Sequence, residues 1–343
     1  MQRAQSAVLS HLLSFMGNGI SIELSVKTAM TDPSNYSFTR YLAAKKTVDD
    51  RALNQHVWQS LVNSLSPFTP DEPLRVIEVG AGIGTMIERF LERDVLNKAA
   101  YTAIDAESQN VLEARRRLPL WAGQNGYRVT EGRGEQLCLQ RAEREVWIEL
   151  EAIDVFDFIS RERGRRTWDL LIAHAFLDVV HVPRLLPLLC SALRDGGLLY
   201  LTIAFDGVTT LQPMIDPRLD ALVETLYHRT ADERMVDGQP SGDSWTARHL
   251  FGHLHGVGAE LLDAGSSDWV VFAGQDGYAA DEKYFLHFII HSIHAALEGH
   301  AHLDAKRFND WIARRHAQIE EGVLVYITHQ LDFLARVSTH QLS

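Results

Sequence analysis

The stretch Val76-Ile77-Glu78-Val79-Gly80-Ala81-Gly82-Ile83-Gly84-Thr85 constrains this chain more than any other. Three apolar residues around one acid read as a buried strand. Three alternating glycines then form a tight turn, and Thr85 opens a helix. A strand, a glycine turn and a helix start let a backbone approach a nucleoside-containing ligand closely. Alone, such a turn serves several nucleotide ligands.

The segments after it narrow the fold. Leu74–Val79, 100–105, 147–154, 168–173 and 198–205 read as strands, with helical patterns beginning at Thr85, Ser108 and Val182. Asp195-Gly196-Gly197 closes the third helix. Repeated strand–helix units predict an α/β fold, a Rossmann-like, seven-stranded and mostly parallel sheet with helices on both faces. A sixth strand is expected over 259–272 with a turn at Gly265, and a seventh over 323–337. Segment 126–145 reads as a β-hairpin.

The remaining segments are additions to that unit. Residues 1–70 are read as a helical lid, including an amphipathic helix over 7–16, strand propensity over 20–26 and helical spacing over 41–65. Pro67, Pro70 and Pro73 mark an edge, so 71–343 is the main domain. Insertions are expected at 207–243 and at 279–321, the latter as two helices divided near Gly299. That helical pair offers a dimerisation surface, without a decisive apolar stripe.

Composition bounds the partners. The net charge of -12 over 343 residues argues against a general nucleic-acid binder. Arg161, Arg163, Arg165 and Arg166 form the densest basic patch and read as a solvated loop. No run is long and apolar enough for a membrane span. Cys138 and Cys190 lack metal-site spacing, and a reducing cytoplasm is the simplest location. The sequon Asn35-Tyr36-Ser37 would go unused there.

Acids end three of the strands or stand next to their ends. Glu78 precedes the glycines. Asp105 ends the second strand, where a carboxylate can accept from both ribose hydroxyls. Asp154 ends the third, where it can accept from an adenine amine. Trp168–His174 delivers its carboxyl end to the same crevice.

In this order, Glu78–Gly84, Asp105, Asp154-Val155, Asp169–His174 and Asp195-Gly196-Gly197 resemble the class I S-adenosylmethionine-dependent methyltransferases, of the small-molecule type. The resemblance covers 74–206 well and 244–337 loosely. It implies S-adenosylmethionine as cofactor and S-adenosylhomocysteine as product. Gly80, Ala81, Gly82 and Gly84 would face the methionine part, and Glu78 its amino group. Asp105 would bind the ribose. Asp154 and the Val155 N–H would bind the adenine, flanked by Ala106 and Phe156. Ala173 would close the floor, and Arg51 of the lid would hold the cofactor carboxylate.

Methyl transfer asks for alignment and sometimes for a base. His174 is the candidate base, with Asp178 and His181 following it. His287, His291 and His294 share one helical face, but their apolar neighbours favour packing over a metal. Trp269 reads as core. The leading expectation is transfer to a small-molecule acceptor. A protein or RNA methyltransferase, a nicotinamide-dependent dehydrogenase and a non-catalytic binding module are the alternatives. Ala173-His174-Ala175-Phe176 lacks the Asn/Asp-Pro-Pro-aromatic tetrad that resembles many base N-methylating enzymes.

Overall fold

The computed structural model describes residues 36–65, 72–132, 136–236 and 238–338. The expected helix over 7–16, the strand propensity over 20–26, Pro67, Pro70 and Asn35 lie outside these residues.

The lid comes first in the described chain. Helix α1 (Phe38–Ala52) starts at Ser37, whose hydroxyl accepts from the Arg40 N–H. Helix α2 (Gln55–Leu65) starts at Asn54, whose side-chain oxygen accepts from the N–H groups of His56 and Val57. The expected helical stretch is therefore two helices.

Strand β1 (Leu74–Val79) leads into α3 (Thr85–Glu92), and β2 (Lys98–Asp105) into α4 (Ser108–Gln124). The hairpin β3 (Arg128–Glu131) and β4 (Leu137–Arg141) turns into β5 (Arg144–Ala152). Helix α5 (Val155–Glu162), β6 (Trp168–His174), α6 (Val182–Ala192) and β7 (Leu193–Gln212) follow. Then come α7 (Pro217–Asp232), the short pair β8 (Met235–Val236) and β9 (Gln239–Pro240), α8 (Thr246–Gly256), β10 (Glu260–Ser266) and β11 (Trp269–Val271). Helices α9 (Glu282–Leu297) and α10 (Ala305–Glu320) precede β12 (Val325–Arg336).

The main sheet runs β10-β12-β7-β6-β1-β2-β5-β4-β3, with β11 also on β12. Strands β5, β2, β1, β6 and β7 are mutually parallel. β12 lies antiparallel between β7 and β10. The expected α/β fold is thus present, Rossmann-like and mostly parallel at its centre. The β3–β4 hairpin and β11 widen it beyond the seven strands expected.

Alternation along β1 divides the core between the two faces. Val76 packs with Phe90, Leu118 and Tyr200 on one side. Ile77 and Val79 pack with Phe158 and Leu185 on the other. A strand buried on both faces belongs at the centre of a parallel sheet.

Three expectations change. β7 continues to Gln212 because its distal half pairs with β12, Gln212 against Val325, so the insertion begins after the strand and not at Gly207. Gly265 is not a turn but lies inside β10; the break falls at Ser267 and Asp268. A Cβ at Gly265 would come within 2.3 Å of the Asn54 side chain, so the glycine marks close approach of the lid. The basic patch is a solvated turn only in part: Arg163 and Arg165 are exposed there, while the other two arginines are paired. Arg161 bridges Glu151 and Glu162, and Arg166 bridges Glu149 and Glu162. Among the described residues no helix is long and apolar enough to cross a membrane.

Candidate active site

The strand order reverses at β1. Its neighbour β2 leads away on one side and β6 on the other, which opens a crevice at the carboxyl ends of β1 and β6. A cavity lies there. The β1 turn lines it with Glu78, Gly80, Ala81, Gly82 and Ile83. Asp105, Glu107 and Asn110 come from the end of β2, and His174, Ala175, Phe176 and Val179 from the end of β6. Helix α1 covers it with Phe38, Leu42 and Lys45.

Gly80 takes a φ of +67°, and a Cβ there would lie 2.4 Å from the Phe176 ring. The turn is therefore pressed against an aromatic wall that only glycine permits. Glu78 is buried beneath it, and the Tyr101 hydroxyl donates to its Oε2 at 2.7 Å. Burial pushes the Glu78 carboxyl up to about 8, against the opposing pull of Tyr101 and Arg89.

Asp105 also lines the cavity, but it is not idle. It accepts from the Gly82 N–H and the Glu107 N–H, both at 2.8 Å, and from Asn110 Nδ2 at 3.2 Å. A carboxylate has about four lone-pair sites. Asp105 therefore keeps room for about one more donor, not for two. Burial raises its carboxyl. Glu107 stands beside it in the same cavity.

The deepest part of the site holds a buried charge network that sequence reasoning missed. Asp49 of α1 accepts from Lys45 Nζ at 2.5 Å and from the Trp269 indole at 2.9 Å. Arg89 of α3 reaches it at 3.3 Å. His174 Nε2 lies 2.9 Å from the same carboxylate, and its Nδ1 lies 2.8 Å from the Thr202 hydroxyl. An ionised carboxylate only accepts, so Nε2 carries the proton and Nδ1 accepts from Thr202. The 3.2 Å approach of Arg89 Nη1 to Nε2 then sets two donors face to face and is no hydrogen bond. Burial lowers His174 to about 4, with Asp49 pulling the other way and Arg89 and Lys45 adding to the fall. Burial alone would raise Asp49, but Lys45, His174 and Arg89 hold it below the ordinary carboxylate range.

One signal for this network was available. Lys45 and Asp49 stand four apart in a helical pattern, a spacing that pairs charges. Nothing local reveals that Asp49 points inward, or that Arg89 is fully buried. Trp269 is core as expected, but its N–H also serves the site.

Other expected residues sit elsewhere. Arg51 forms two hydrogen bonds with Glu282 and does not line the cavity, whereas Lys45 does. Ala173 ends in the sheet beneath His174 and is buried. Gly84 caps the start of α3 in the left-handed region. Asp154, Val155 and Phe156 stand at the neighbouring strand end, next to the cavity wall but not in it, with the Asp154 carboxylate accepting from the Phe156 N–H at 2.7 Å. Ala106 follows Asp105 at the mouth. Asp178 lies in the 3-10 turn Leu177–Val179, and His181 caps the start of α6.

The histidine face of α9 is a packing seam. His287 Nδ1 meets His316 Nδ1 at 2.8 Å and its Nε2 meets Glu320, while His291 stacks on Tyr36 at 4.5 Å. Among the described residues no group of three His, Cys, Asp or Glu could hold a metal.

No family model matches the chain. No curated protein matches it either. Solved structures do. A candidate methyltransferase of Bacillus halodurans is 12% identical, over 83% of this chain and 100% of that one, with a TM-score of 0.45. A candidate sarcosine dimethylglycine methyltransferase of Galdieria sulphuraria is 12% identical, over 85% and 86%, with a TM-score of 0.39. An O-methyltransferase from a Brevibacillus brevis multienzyme, solved with S-adenosylhomocysteine, is 11% identical over 89% and 81%, with a TM-score of 0.36. Similarity this low carries no argument about chemistry, which rests on the residues of the cavity.

Proposed function

We propose that this protein is an S-adenosylmethionine-dependent methyltransferase acting on a small molecule. The observation that carries this reading is the convergence of three features on one cavity. Gly80 presses its turn on Phe176, Glu78 lies buried under that turn, and Asp105 with Glu107 closes the mouth.

These groups fit the cofactor. Glu78 would accept from its amino group. Lys45, the lid cation inside the cavity, would meet its carboxylate. Asp105 would take one ribose hydroxyl with its remaining acceptor site and Glu107 the other. Asp154 and the Val155 N–H would bind the adenine at the adjoining strand end. When bound, S-adenosylmethionine supplies a methyl group on a sulfonium that a nucleophile's lone pair displaces, leaving a thioether.

His174 does not serve as the base in this reading. Both its nitrogens are engaged and its protonated form is disfavoured. It is a positioning residue that fixes Asp49, and so α1, over the cavity. The lid helix also favours a small acceptor over a macromolecule, because Phe38, Leu42 and Lys45 roof the crevice. A dehydrogenase is disfavoured by topology. The common dinucleotide-binding order continues with a parallel sixth strand beside the fifth. Here antiparallel β12 occupies that place.

Titration calorimetry with S-adenosylmethionine, S-adenosylhomocysteine and NAD tests this. Micromolar binding of the first two and none of NAD is the expected result. Binding of NAD alone would overturn it.

A further inference from the structure

Past His174 and Val179, at the edge of the core, lies a polar cluster that the cofactor reading does not use. Asp178 comes from the 3-10 turn, Tyr41 from α1, Tyr227 from α7, Arg234 from the turn after α7 and Tyr326 from β12. Among the described residues, Asp178 Oδ1 and Arg234 Nη1 are shielded from solvent and have no hydrogen-bond partner. Orphaned buried groups of this kind are costly and uncommon. They belong to neighbouring residues, because Gly242 packs against both Asp178 and Arg234. Arg234 and Lys45 both pull down on an Asp178 carboxyl that burial raises. Burial raises the Tyr227 hydroxyl, which Arg234 pulls down and Asp178 pushes up. Burial also raises the Tyr41 hydroxyl, with Tyr326, Tyr227 and Asp178 adding to it.

The framework around these groups is fixed. The Ser241 hydroxyl donates to the Val179 carbonyl at 3.0 Å, tying the loop after β9 to the 3-10 turn. A Cβ at Gly242 would meet the Asp178 carbonyl at 3.0 Å and Arg234 Nη1 at 3.3 Å, so that loop packs directly against both residues. Tyr41 stacks on Phe288 at 4.3 Å, and Tyr326 packs edge-on to Phe285 at 6.0 Å. The walls are aromatic, while one end offers an unsatisfied donor and an unsatisfied acceptor. As whole residues Tyr41, Asp178, Tyr227 and Arg234 are each partly exposed, while Tyr326 is buried.

We propose that this cluster is the acceptor site, and that the acceptor is a small aromatic acid carrying a hydroxyl or amino group. Its acidic group pairs with Arg234, its O–H or N–H faces Asp178, and its ring lies against Tyr41, Tyr227 and Tyr326. On transfer, the acceptor oxygen or nitrogen bonds to the methyl carbon, the sulfur keeps the electrons of the broken bond, and Asp178 takes the acceptor's proton. This assignment rests on the methyltransferase reading.

The test is a titration of the full-length protein, saturated with S-adenosylhomocysteine, with 2-hydroxybenzoate and 2-aminobenzoate, whose two polar groups lie side by side on the ring, and with phenol and aniline as neutral counterparts. The acids should bind at least about tenfold more tightly, the worth of a single charged hydrogen bond. Arg234→Gln should erase that preference and Arg234→Lys keep part of it. Both variants should bind S-adenosylhomocysteine within about twofold of wild type, since Arg234 lies outside the cofactor cavity. Asp178→Asn should weaken the acids and the neutral compounds alike. Equal binding of acids and neutral counterparts, or binding of neither, overturns the acceptor assignment while leaving the cofactor reading intact. A wild type that fails to bind S-adenosylhomocysteine overturns the methyltransferase reading, and this assignment with it.

Discussion

Asp49 of the lid and His174 at the end of β6 meet at 2.9 Å across 125 residues of sequence. Around them, Lys45 and Arg89 place two buried cations on the same carboxylate. Asp50 also accepts from Arg89 Nε at 2.5 Å, so the lid is held to the sheet by a network of two cations and two carboxylates with little access to water at its centre. Such a network is tolerable only when complete, because a charge left alone inside is far more costly than a pair.

Removing its centre should therefore be severe. Asp49→Ala leaves Lys45 buried without its anion and Arg89 with Asp50 alone, and should cost about 3–5 kcal/mol. Urea denaturation of wild type and variant measures this. A loss under about 1 kcal/mol, the worth of an exposed pair, would show that water reaches the network.

Acid should loosen the same junction through His174. Its folded pKa is lowered, by burial first, from 6.5 to about 4. A lowered pKa gives stability that is present above 6.5 and lost as pH falls through 4. His174→Gln keeps a donor for Asp49 without titrating, so its melting temperature should fall less between pH 6.5 and 4. Parallel curves for the two proteins would remove His174 from the acid response.

Glu78 should act with the opposite sign. Burial raises its folded pKa from 4.5 to about 8. Its contribution to stability is then fully present below 4.5 and is lost as pH rises through 8. Thermal unfolding from pH 5 to 8.5 should show wild type losing ground to Glu78→Gln. In the proposed complex a cofactor ammonium would favour the carboxylate, so binding near pH 7 should release a proton. Calorimetry in buffers of different ionisation enthalpy detects that release, and its absence would place the ammonium elsewhere.

Gly80→Ala should damage the site from two directions. The φ of +67° is strained for alanine, and the new methyl would collide with Phe176. The strain alone is worth about 1–2 kcal/mol. Affinity for S-adenosylhomocysteine should fall at least about tenfold, since 1.4 kcal/mol is a factor of ten. Unchanged affinity in the titration would mean that the turn does not touch the ligand.

Two lid cations separate the cofactor reading from simple charge effects. Lys45→Met should weaken S-adenosylhomocysteine binding by about 1.5–3 kcal/mol, the worth of a hydrogen bond to a charged group. Arg51→Met, which removes a half-exposed partner of Glu282, should leave binding unchanged. Equal effects would point to long-range electrostatics instead of contact.

The sequence by itself determined the strand–turn–helix at Val76–Thr85 and the succession of strands and helices that follows. These are short-range properties. Alternating apolar residues, glycine turns and helix starts are written within a few residues of one another, so β1 emerges with the boundaries expected. Glu78, Gly80, Gly82, Asp105 and His174 were legible as site residues for the same reason, because strand ends and glycine turns announce where a crevice opens. What each residue does there was decided only in three dimensions. His174 read as a base until Thr202 and Asp49 took both its nitrogens. Arg51 and Lys45 stand on one helix, and only the packing of α9 takes Arg51 to Glu282 and leaves Lys45 in the cavity. Asp49, Arg89 and Arg234 carry no local signature. Their roles come from partners that are distant in sequence, and a buried charge is defined by what surrounds it, which the chain specifies only once it has folded.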